Sequence, residues 1–256
     1  MKILAFDIWG DWALFKKFYT TASPLTFHFP PITTLKGIVG AILGLSNNPK
    51  DNNFYLEILG DYLFGIQIIK PIKTYRMGYN WIETKKAKYM QIMPPEKSRY
   101  QTIIETLKDP YYRVYVGSKE ESSFWDKLVE LIKNHKSIFT PFLGISEHIA
   151  EFKYVGLYNV DKIENSLKKF VSISSVVSID GIDDISDFLK IESGKVYQRD
   201  KIPVEMDNNR KVTKYSTVLY EMNGRDLIIK LKKYWQLENG IRIYLFENKM
   251  DIPSSR

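Results

Sequence analysis

A short run of cationic, aromatic and hydroxyl side chains precedes the first predicted helix. Lys16, Lys17, Tyr19, Thr20 and Thr21 fall within six residues of one another. Single-stranded RNA is bound by cations on its phosphates, by aromatic rings that stack on bases, and by hydrogen bonds to base edges and 2′-hydroxyls. Because the run offers all three kinds of group, we interpret it as a candidate RNA-binding segment.

Lys36 is a second candidate for a phosphate contact. It lies in the first turn of the predicted helix, where the positive end of the helix dipole disfavours an unpaired cation. A phosphate bound at the helix N-terminus would explain a lysine there. The alternative is that Lys36 simply points to water.

A basic and aromatic segment forms the second candidate surface. Between Ile66 and Arg113 there are ten Lys and Arg residues against four Asp and Glu residues, whereas the whole chain has a net charge of +7. Clustered cations attract phosphates and release their counterions, although a solvated lysine-rich face has the same composition. The candidate residues are Lys73, Arg76, Tyr79, Trp81, Lys85, Lys86 and Lys88.

Within this segment, Arg76 is the strongest candidate, since a guanidinium both stacks and forms bidentate phosphate contacts. A structural ion pair at a strand end is its alternative role. Tyr79 and Trp81 are two residues apart, so on a strand they share one face. That face would stack bases or contact a neighbouring subunit.

Several classes of site are excluded or unsupported. The chain has no cysteine, which excludes disulfides, thiolate nucleophiles and cysteine-based zinc sites. Asp180, Asp183, Asp184 and Asp187 form an acidic cluster without the spacing of a calcium loop. We therefore expect no metal site and no cofactor.

The elements that position these residues begin with a strand over Ile3 to Phe15, interrupted near Gly10. Pro30 and Pro31 then force extended backbone, which makes Thr33 or Thr34 the predicted N-cap of the helix. Its apolar stripe consists of Leu35, Ile38, Val39, Ile42 and Leu45. Three glycines, Gly37, Gly40 and Gly44, lie in this helix. Each destabilises a helix by about 1 kcal/mol relative to alanine. Their cost indicates that the sheet or an RNA backbone approaches the helix closely.

The remaining pattern predicts strands at 65–75 and 111–116, a helix at 124–133 capped by Ser122 or Ser123, and a strand at 150–158. The order strand, helix, strand, strand, helix, strand is typical of α+β, ferredoxin-like folds and of RNA-recognition modules. Residues 1–160 are the predicted ferredoxin-like domain, with a long hairpin or arm at about 76–107. Residues 161–250 are a predicted β-rich C-terminal region, and 251–256 a loose tail.

The segment from Phe6 to Leu45, FDIWGDWALFKKFYTTASPLTFHFPPITTLKGIVGAILGL, closely resembles the opening of the Cas-five family. This family belongs to the RAMP superfamily of type I CRISPR effector complexes. The segments FGIQIIKPIKTY (64–75), LKDPYYRVYV (107–116) and TPFLGISEHIA (140–150) are similar to it in the same order. The style of the matches resembles the type I-B subgroup.

The resemblance implies a ferredoxin-like core, a protruding β-hairpin thumb and a variable C-terminal part. It also implies binding of the 5′ handle of the crRNA at the end of the backbone filament of a Cascade complex. The neighbours would be a backbone RAMP subunit and the large subunit, with target DNA reached only indirectly through the complex. We expect a cytoplasmic protein without membrane contact, since the most apolar stretch is too short to span a bilayer.

The resemblance leaves an enzymatic alternative open, because one subgroup of the family, in type I-C systems, is a metal-independent endoribonuclease that processes pre-crRNA repeats. Such cleavage needs a general base, an acid and a cation for the phosphorane. The histidines available are His28, His135 and His148, of which His28 lies nearest the Lys16–Thr21 run. Their spacing assembles no triad with Tyr and Lys, so we expect a non-catalytic protein.

Overall fold

The computed structural model describes residues 1–20, 23–82, 99–119, 122–182 and 186–247. Strands dominate the described part of the chain, with helices confined to its first 133 residues. In chain order the elements are β1 (Lys2–Trp9), β2 (Trp12–Ala13), β3 (Phe15–Lys16), β4 (Thr26–Phe27), α1 (Ile32–Leu43), α2 (Tyr55–Ile58), β5 (Leu63–Ile68), β6 (Thr74–Ile82), β7 (Arg99–Lys108), β8 (Tyr111–Ser118), α3 (Ser123–Lys133), β9 (Glu151–Glu164), β10 (Val171–Ile173), β11 (Val177–Ser178), β12 (Tyr197–Met206), β13 (Val212–Glu221), β14 (Leu227–Ile229), β15 (Tyr234–Leu237) and β16 (Arg242–Ile243).

The largest sheet has the order β16–β15–β9–β1–β8–β5, and every neighbouring pair in it is antiparallel. The first predicted strand supplies its inner strand β1, and α1 and α3 follow β1 and β8 along the chain. The order strand, helix, strand, strand, helix, strand predicted for β1, α1, β5, β8, α3 and β9 is present, with the β6–β7 pair inserted between β5 and β8.

The pleat of β1 separates two layers of core. Leu4, Phe6 and Ile8 pack with the buried residues of α1 and α3. Ile3 and Ala5 point to the opposite face, because successive side chains of a strand alternate. There they pack with residues of β15 and β16 and with Leu245. Helices therefore cover one face of the sheet, and the C-terminal strands cover part of the other.

The C-terminal region joins this sheet. The boundary expected at residue 160 falls inside β9, which runs from Glu151 to Glu164 and pairs with β15. Ile202 of β12 and Val218 of β13 belong to the same buried cluster as the helices. The four residues of β15 carry no alternating pattern, so the sequence predicts no strand there.

Helix α1 begins earlier than predicted. Pro31, at φ −55° and ψ 160°, is the N-cap, and the expectation of Thr33 or Thr34 in that position is wrong. Burial explains the difference, because Ile32 is only 2% exposed. Its apolar packing extends the helix toward the N-terminus, beyond Thr33 and Thr34. For α3 the predicted cap is correct, because the Ser122 hydroxyl accepts a hydrogen bond from the Trp125 amide at 3.2 Å. None of the helices in the described residues is long and apolar enough to cross a membrane.

The three glycines of the α1 region have different roles. Gly44 ends the helix in the left-handed conformation at φ +73°, and an added Cβ would lie 2.6 Å from Ile138. At Gly40 an added Cβ would meet the Cβ of Tyr55 at 3.0 Å. At Gly37 an added Cβ would meet nothing within 4 Å. Packing thus explains Gly40 and Gly44, whereas no contact of the described residues explains Gly37.

The β6 and β7 strands pair in register from Thr74 opposite Leu107 to Ile82 opposite Arg99. We call this pair the ribbon. Its strand β7 also pairs with β2, so that the ribbon is anchored beside the first strand of the large sheet. The segment 83–98 that joins β6 to β7 lies outside the described residues, together with the candidates Lys85, Lys86 and Lys88.

Replacing Gly44 or Gly37 with alanine should change the stability of the protein in opposite directions. Gly44→Ala should lower the free energy of unfolding by more than about 1 kcal/mol, because the left-handed conformation disfavours a Cβ. Gly37→Ala should raise it by about 1 kcal/mol through helix propensity alone. Urea unfolding of both variants checks this. Destabilisation by Gly37→Ala would show that Gly37 has an internal packing role.

Candidate nucleic-acid interface

The segment after β3 forms a compact turn. The Thr20 hydroxyl donates to the Lys17 carbonyl oxygen at 2.8 Å and accepts from the Leu25 amide at 3.2 Å. Thr20 therefore shapes the turn, while Lys16 is exposed on β3 opposite Thr26. Thr21 lies outside the described residues.

Lys17 is already paired. Its ammonium lies 2.7 Å from an Asp200 carboxylate oxygen, and the lysine side chain is only 14% exposed. Burial lowers the pKa of Lys17, but the hydrogen bond and charge of Asp200 outweigh burial and raise the pKa above its ordinary value. This lysine is charged and ties the turn to β12, which limits its use for a phosphate.

Aromatic rings at the turn are accessible. Phe18 and Tyr19 are 53% and 58% exposed, and the Phe18 ring lies 4.8 Å from the ring of Tyr215 on β13. The Lys201 ammonium is 5.5 Å from the centre of the Tyr215 ring. No local sequence signal marks Tyr215 and Lys201, since only the fold brings the C-terminal hairpin to this turn.

Lys36 points away from solvent. It is 3% exposed and borders a small cavity of about 70 Å³ with Asp180 and Glu247. Burial lowers the pKa of Lys36 to about 8, partly offset by the charges of Glu205 and Asp61. Neither predicted role, phosphate contact or exposure to water, fits this location. The apolar stripe of α1 turns Lys36 inward along with its neighbours Leu35 and Ile38.

The opposite side of α1 borders a groove of about 700 Å³. Thr33, Thr34 and the exposed Gly37 form its floor. Pro31 offers no side-chain acceptor to the first amides of the helix, which leaves donors that favour an anion. Of the described residues that line the groove, only Arg210 is charged.

Aromatic rings form a wall of this groove. Phe139 and Phe142 line it and are 55% and 42% exposed. Large apolar rings that remain this accessible can stack on a base. The Arg210 guanidinium donates to the Asn47 carbonyl oxygen at 3.2 Å, which fixes the cation at the groove while leaving other N–H groups for a ligand. The groove combines donors, a cation and rings without an opposing carboxylate.

The ribbon has two chemically different faces. Because directly opposed residues of an antiparallel pair share a face, Arg76 and Glu105 lie on one side, while Tyr79 and Trp81 lie on the other. The rings of Tyr79 and Trp81 are 5.4 Å apart, in agreement with the prediction that they share a face. A single RNA strand on one face would therefore not meet Arg76 and the two rings together.

The aromatic face of the ribbon packs against the loop after α3. The Tyr79 hydroxyl lies 2.9 Å from Nε2 of His148, which is 5% exposed. Burial lowers the pKa of His148 despite the nearby charge of Glu147. Ile104 and Thr106 on the same face are fully buried. Tyr79 thus holds the ribbon to the core, which leaves less of its ring for a base.

The other face of the ribbon is open. Arg76 is 73% exposed, and its Nε is 3.9 Å from Glu105. A Cβ at Gly78 would meet nothing within 4 Å, and Ile103 is 62% exposed. Lys73 is also exposed, 3.9 Å from Asp109 at the base of the ribbon.

Glu105 connects this open face to the turn. Its carboxylate accepts from the Thr26 amide at 3.4 Å, and its own amide donates to the Pro24 carbonyl oxygen at 2.9 Å. Thr26 in turn pairs with Lys16. Lys16 and Arg76, two predicted RNA contacts 60 positions apart in the chain, are thereby linked through Thr26 and Glu105.

The histidines lie in separate environments. His28 is half-buried, and its Nδ1 is 2.8 Å from the Tyr220 hydroxyl. Burial and the charge of Lys17 lower the pKa of His28. His135 is exposed 3.5 Å from Glu151. Among the described residues, no group of three or more His, Asp or Glu side chains is placed to hold a metal ion.

Lys36 predicts a pH dependence of stability. Its folded-state pKa of about 8 lies below the ordinary 10.5, so the folded state disfavours the charged form. The contribution of Lys36 to the free energy of unfolding is therefore lowest below pH 8 and rises as the pH approaches 10.5. Between pH 8 and 10.5, the free energy of unfolding of the native protein should rise by about 3 kcal/mol relative to that of the Lys36→Met variant. Urea unfolding of both proteins at several pH values measures this difference. A difference that stays constant with pH would contradict this assignment.

Comparison with known proteins identifies relatives of the chain. The family described as "CRISPR-associated protein (Cas_Cas5)" matches residues 3–218. No curated protein matches the sequence. The solved structure "Crystal structure of a CRISPR protein from Archaeoglobus fulgidus" is similar at a TM-score of 0.55 and 16% identity, covering 97% of this chain and 100% of that one.

A second similar structure is named "CRISPR RNA-guided surveillance complex". One of its chains aligns at a TM-score of 0.51 and 12% identity, covering 93% of this chain and 92% of that chain. At such identities the two structures support the fold alone. The match over residues 3–218 carries the assignment, and with it the resemblance predicted from the sequence is confirmed: the chain belongs to the Cas5 family of CRISPR-associated proteins.

Proposed function

We propose that this protein is the non-catalytic subunit that binds the 5′ handle of the crRNA and caps the backbone filament of a type I Cascade complex. Membership of the Cas5 family gives the chain a CRISPR-associated role. Handle binding, the position in the filament and the type I-B subgroup are our inferences from the site.

The groove along α1 is the observation that carries this proposal. Glycine costs a helix about 1 kcal/mol relative to alanine, and no internal contact accounts for Gly37. A ligand that approaches the helix backbone accounts for it. The free amides of the first turn, Arg210 and the rings of Phe139 and Phe142 suit phosphates and unpaired bases.

We assign the four strands β9–β1–β8–β5 with α1 and α3 to a ferredoxin-like core and the ribbon to the predicted thumb. In this assignment the open face of the ribbon, with Arg76, contacts RNA that leaves the turn at Lys16. Its aromatic face, held by Tyr79 and His148, contributes to the attachment of the thumb.

The proposed partners are the crRNA handle, a backbone RAMP subunit and the large subunit, with target DNA met only through the complex. The surplus of cations between Ile66 and Arg113 favours the RNA contact. We place the protein in the cytoplasm, where such complexes act.

The second candidate function is metal-independent cleavage of crRNA repeats. One observation favours it: His28 contacts Tyr220 and lies within the electrostatic influence of Lys17, so that base, acid and cation types occur together. Against it, Lys17 is paired with Asp200, and Tyr220 is 2% exposed. The cluster holds the turn to the C-terminal hairpin, and we therefore rank cleavage second.

Incubation with a cognate repeat RNA in EDTA separates the two functions. A denaturing gel reports cleavage, and a parallel titration compares a 5′-handle fragment with a scrambled RNA of equal length. We expect intact RNA and tighter binding of the handle fragment. A discrete cut that His28→Ala abolishes would replace our proposal with the nuclease, and equal affinity for both fragments would reduce the protein to a generic RNA binder.

Substitution at Gly37 tests the groove itself. Gly37→Leu should weaken binding of the handle fragment at least about tenfold, or about 1.4 kcal/mol, because its side chain would occupy the floor of the groove. Gly37→Ala is the matched control, with a small effect on affinity. Both variants should unfold at or above the native urea midpoint, since the position is open. Native affinity of the Gly37→Leu variant would exclude the groove as the RNA site.

A further inference from the structure

Two aromatic residues face each other on the two inner strands of the four-stranded core. Trp9 of β1 pairs in register with Tyr111 of β8. Their rings stack with centres 5.3 Å apart and an angle of 11° between the planes. By strand alternation Trp9 shares its face with Ile3 and Ala5, which is the face opposite α1 and α3.

The stacked pair lies beyond the core of that face. The buried cluster on this side includes Ala5 and Tyr115. The next pair of residues along β1 and β8 on this face is an ion pair, in which Arg113 donates to both Asp7 carboxylate oxygens at 2.7 and 3.1 Å. Trp9 and Tyr111 follow next along the strands and are only partly buried. Packing of the core therefore does not account for them.

The rings are held in place before any ligand binds. The Tyr111 hydroxyl donates to Asp7 Oδ2 at 3.2 Å, and the Lys70 ammonium lies 5.0 Å from the centre of the Tyr111 ring. Such preorganisation lowers the entropy lost on binding. Aromatic residues on the inner strands of a helix-backed sheet are the arrangement with which RNA-recognition modules stack bases.

A cleft of about 400 Å³ adjoins the pair. Trp9, Lys70 and Lys73 line it, with Asp11 and Asp109 at the same opening. Asp109 is neutralised locally, because Lys73 lies 3.9 Å and Lys108 3.2 Å from its carboxylate. Two lysines and two aspartates line the cleft, and Lys108 adds a third cation at Asp109 from outside it. The Lys70 and Lys73 ammonium groups thus lie beside an aromatic ring, which suits the phosphate and the base of a nucleotide.

We infer that the Trp9 ring, backed by the stacked Tyr111, stacks an unpaired base of single-stranded RNA, while Lys70 and Lys73 hold the adjacent phosphate. This inference rests on the proposed function and adds a second contact, on the sheet face opposite the α1 groove. Because β6 begins directly after Lys73, the root of the ribbon lies beside this contact.

Titration of the full chain with a cognate repeat-derived RNA tests the inference. Trp9→Ala should weaken binding roughly 5- to 150-fold, the range of one lost base stack. Trp9→Phe, which keeps a ring, should retain most of the affinity and guards against misfolding. Lys70→Ala should lower the slope of log affinity against log salt by about 0.7.

Phe170→Ala is the matched control, since Phe170 is 41% exposed and also has a lysine, Lys230, 4.7 Å from its ring. It should bind RNA like the native protein. Native affinity of Trp9→Ala, or equal losses in Trp9→Ala and Phe170→Ala, would overturn the stacking site. If Gly37→Leu still weakens binding in that case, the proposed function stands; if the native protein binds no RNA, the proposed function itself fails.

Discussion

Helix α1 has to bury one side against the sheet and leave the other side bare, and most of the site depends on this division. Its apolar stripe packs on Leu4, Phe6 and Ile8, and the same rotation carries Lys36 into the interior. The bare side, with Gly37 exposed, becomes the floor of a groove. Alanine at position 37 would make the helix more stable, but its Cβ would keep a ligand further from the helix backbone.

The sheet and the ribbon repeat this division into a packed and an open side. The aromatic face of the ribbon is held by the contact of Tyr79 with His148, which leaves Arg76 on the open face. In the large sheet, the C-terminal strands cover Ile3 and Ala5, whereas Trp9 and Tyr111 remain accessible beyond the Asp7–Arg113 ion pair. Stability and the proposed RNA binding therefore use different residues of the same strands.

Local patterns were sufficient to predict much of this fold. Alternation in β1 and β8, the apolar stripe of α1 and the serine cap of α3 each reflect forces that act within one element. The four ordered segments of similarity fixed the family. The start of α1 was misplaced, because burial of Ile32 outweighed the capping preference of the threonines.

The candidate site could be predicted less well than the fold, because its contacts join residues that are far apart in the chain. The sequence could not show that Lys17 is paired with Asp200, since 183 positions separate them. It also could not orient Lys36, nor bring Tyr215 and Lys201 to the turn at Phe18. Trp9 and Tyr111 give no signal in the sequence, because each, taken alone, is an ordinary aromatic residue at the end of a strand.

Amide hydrogen exchange of the native protein, with and without bound handle RNA, tests the central claim most directly. It reports on the first-turn amides of α1, which lack a side-chain cap and gain protection when a ligand accepts their hydrogen bonds. If RNA occupies the groove, exchange should slow in peptides that begin several residues before Ile32 and span the first turn of α1. Unchanged exchange in this turn at saturating RNA, with protection elsewhere, would contradict it.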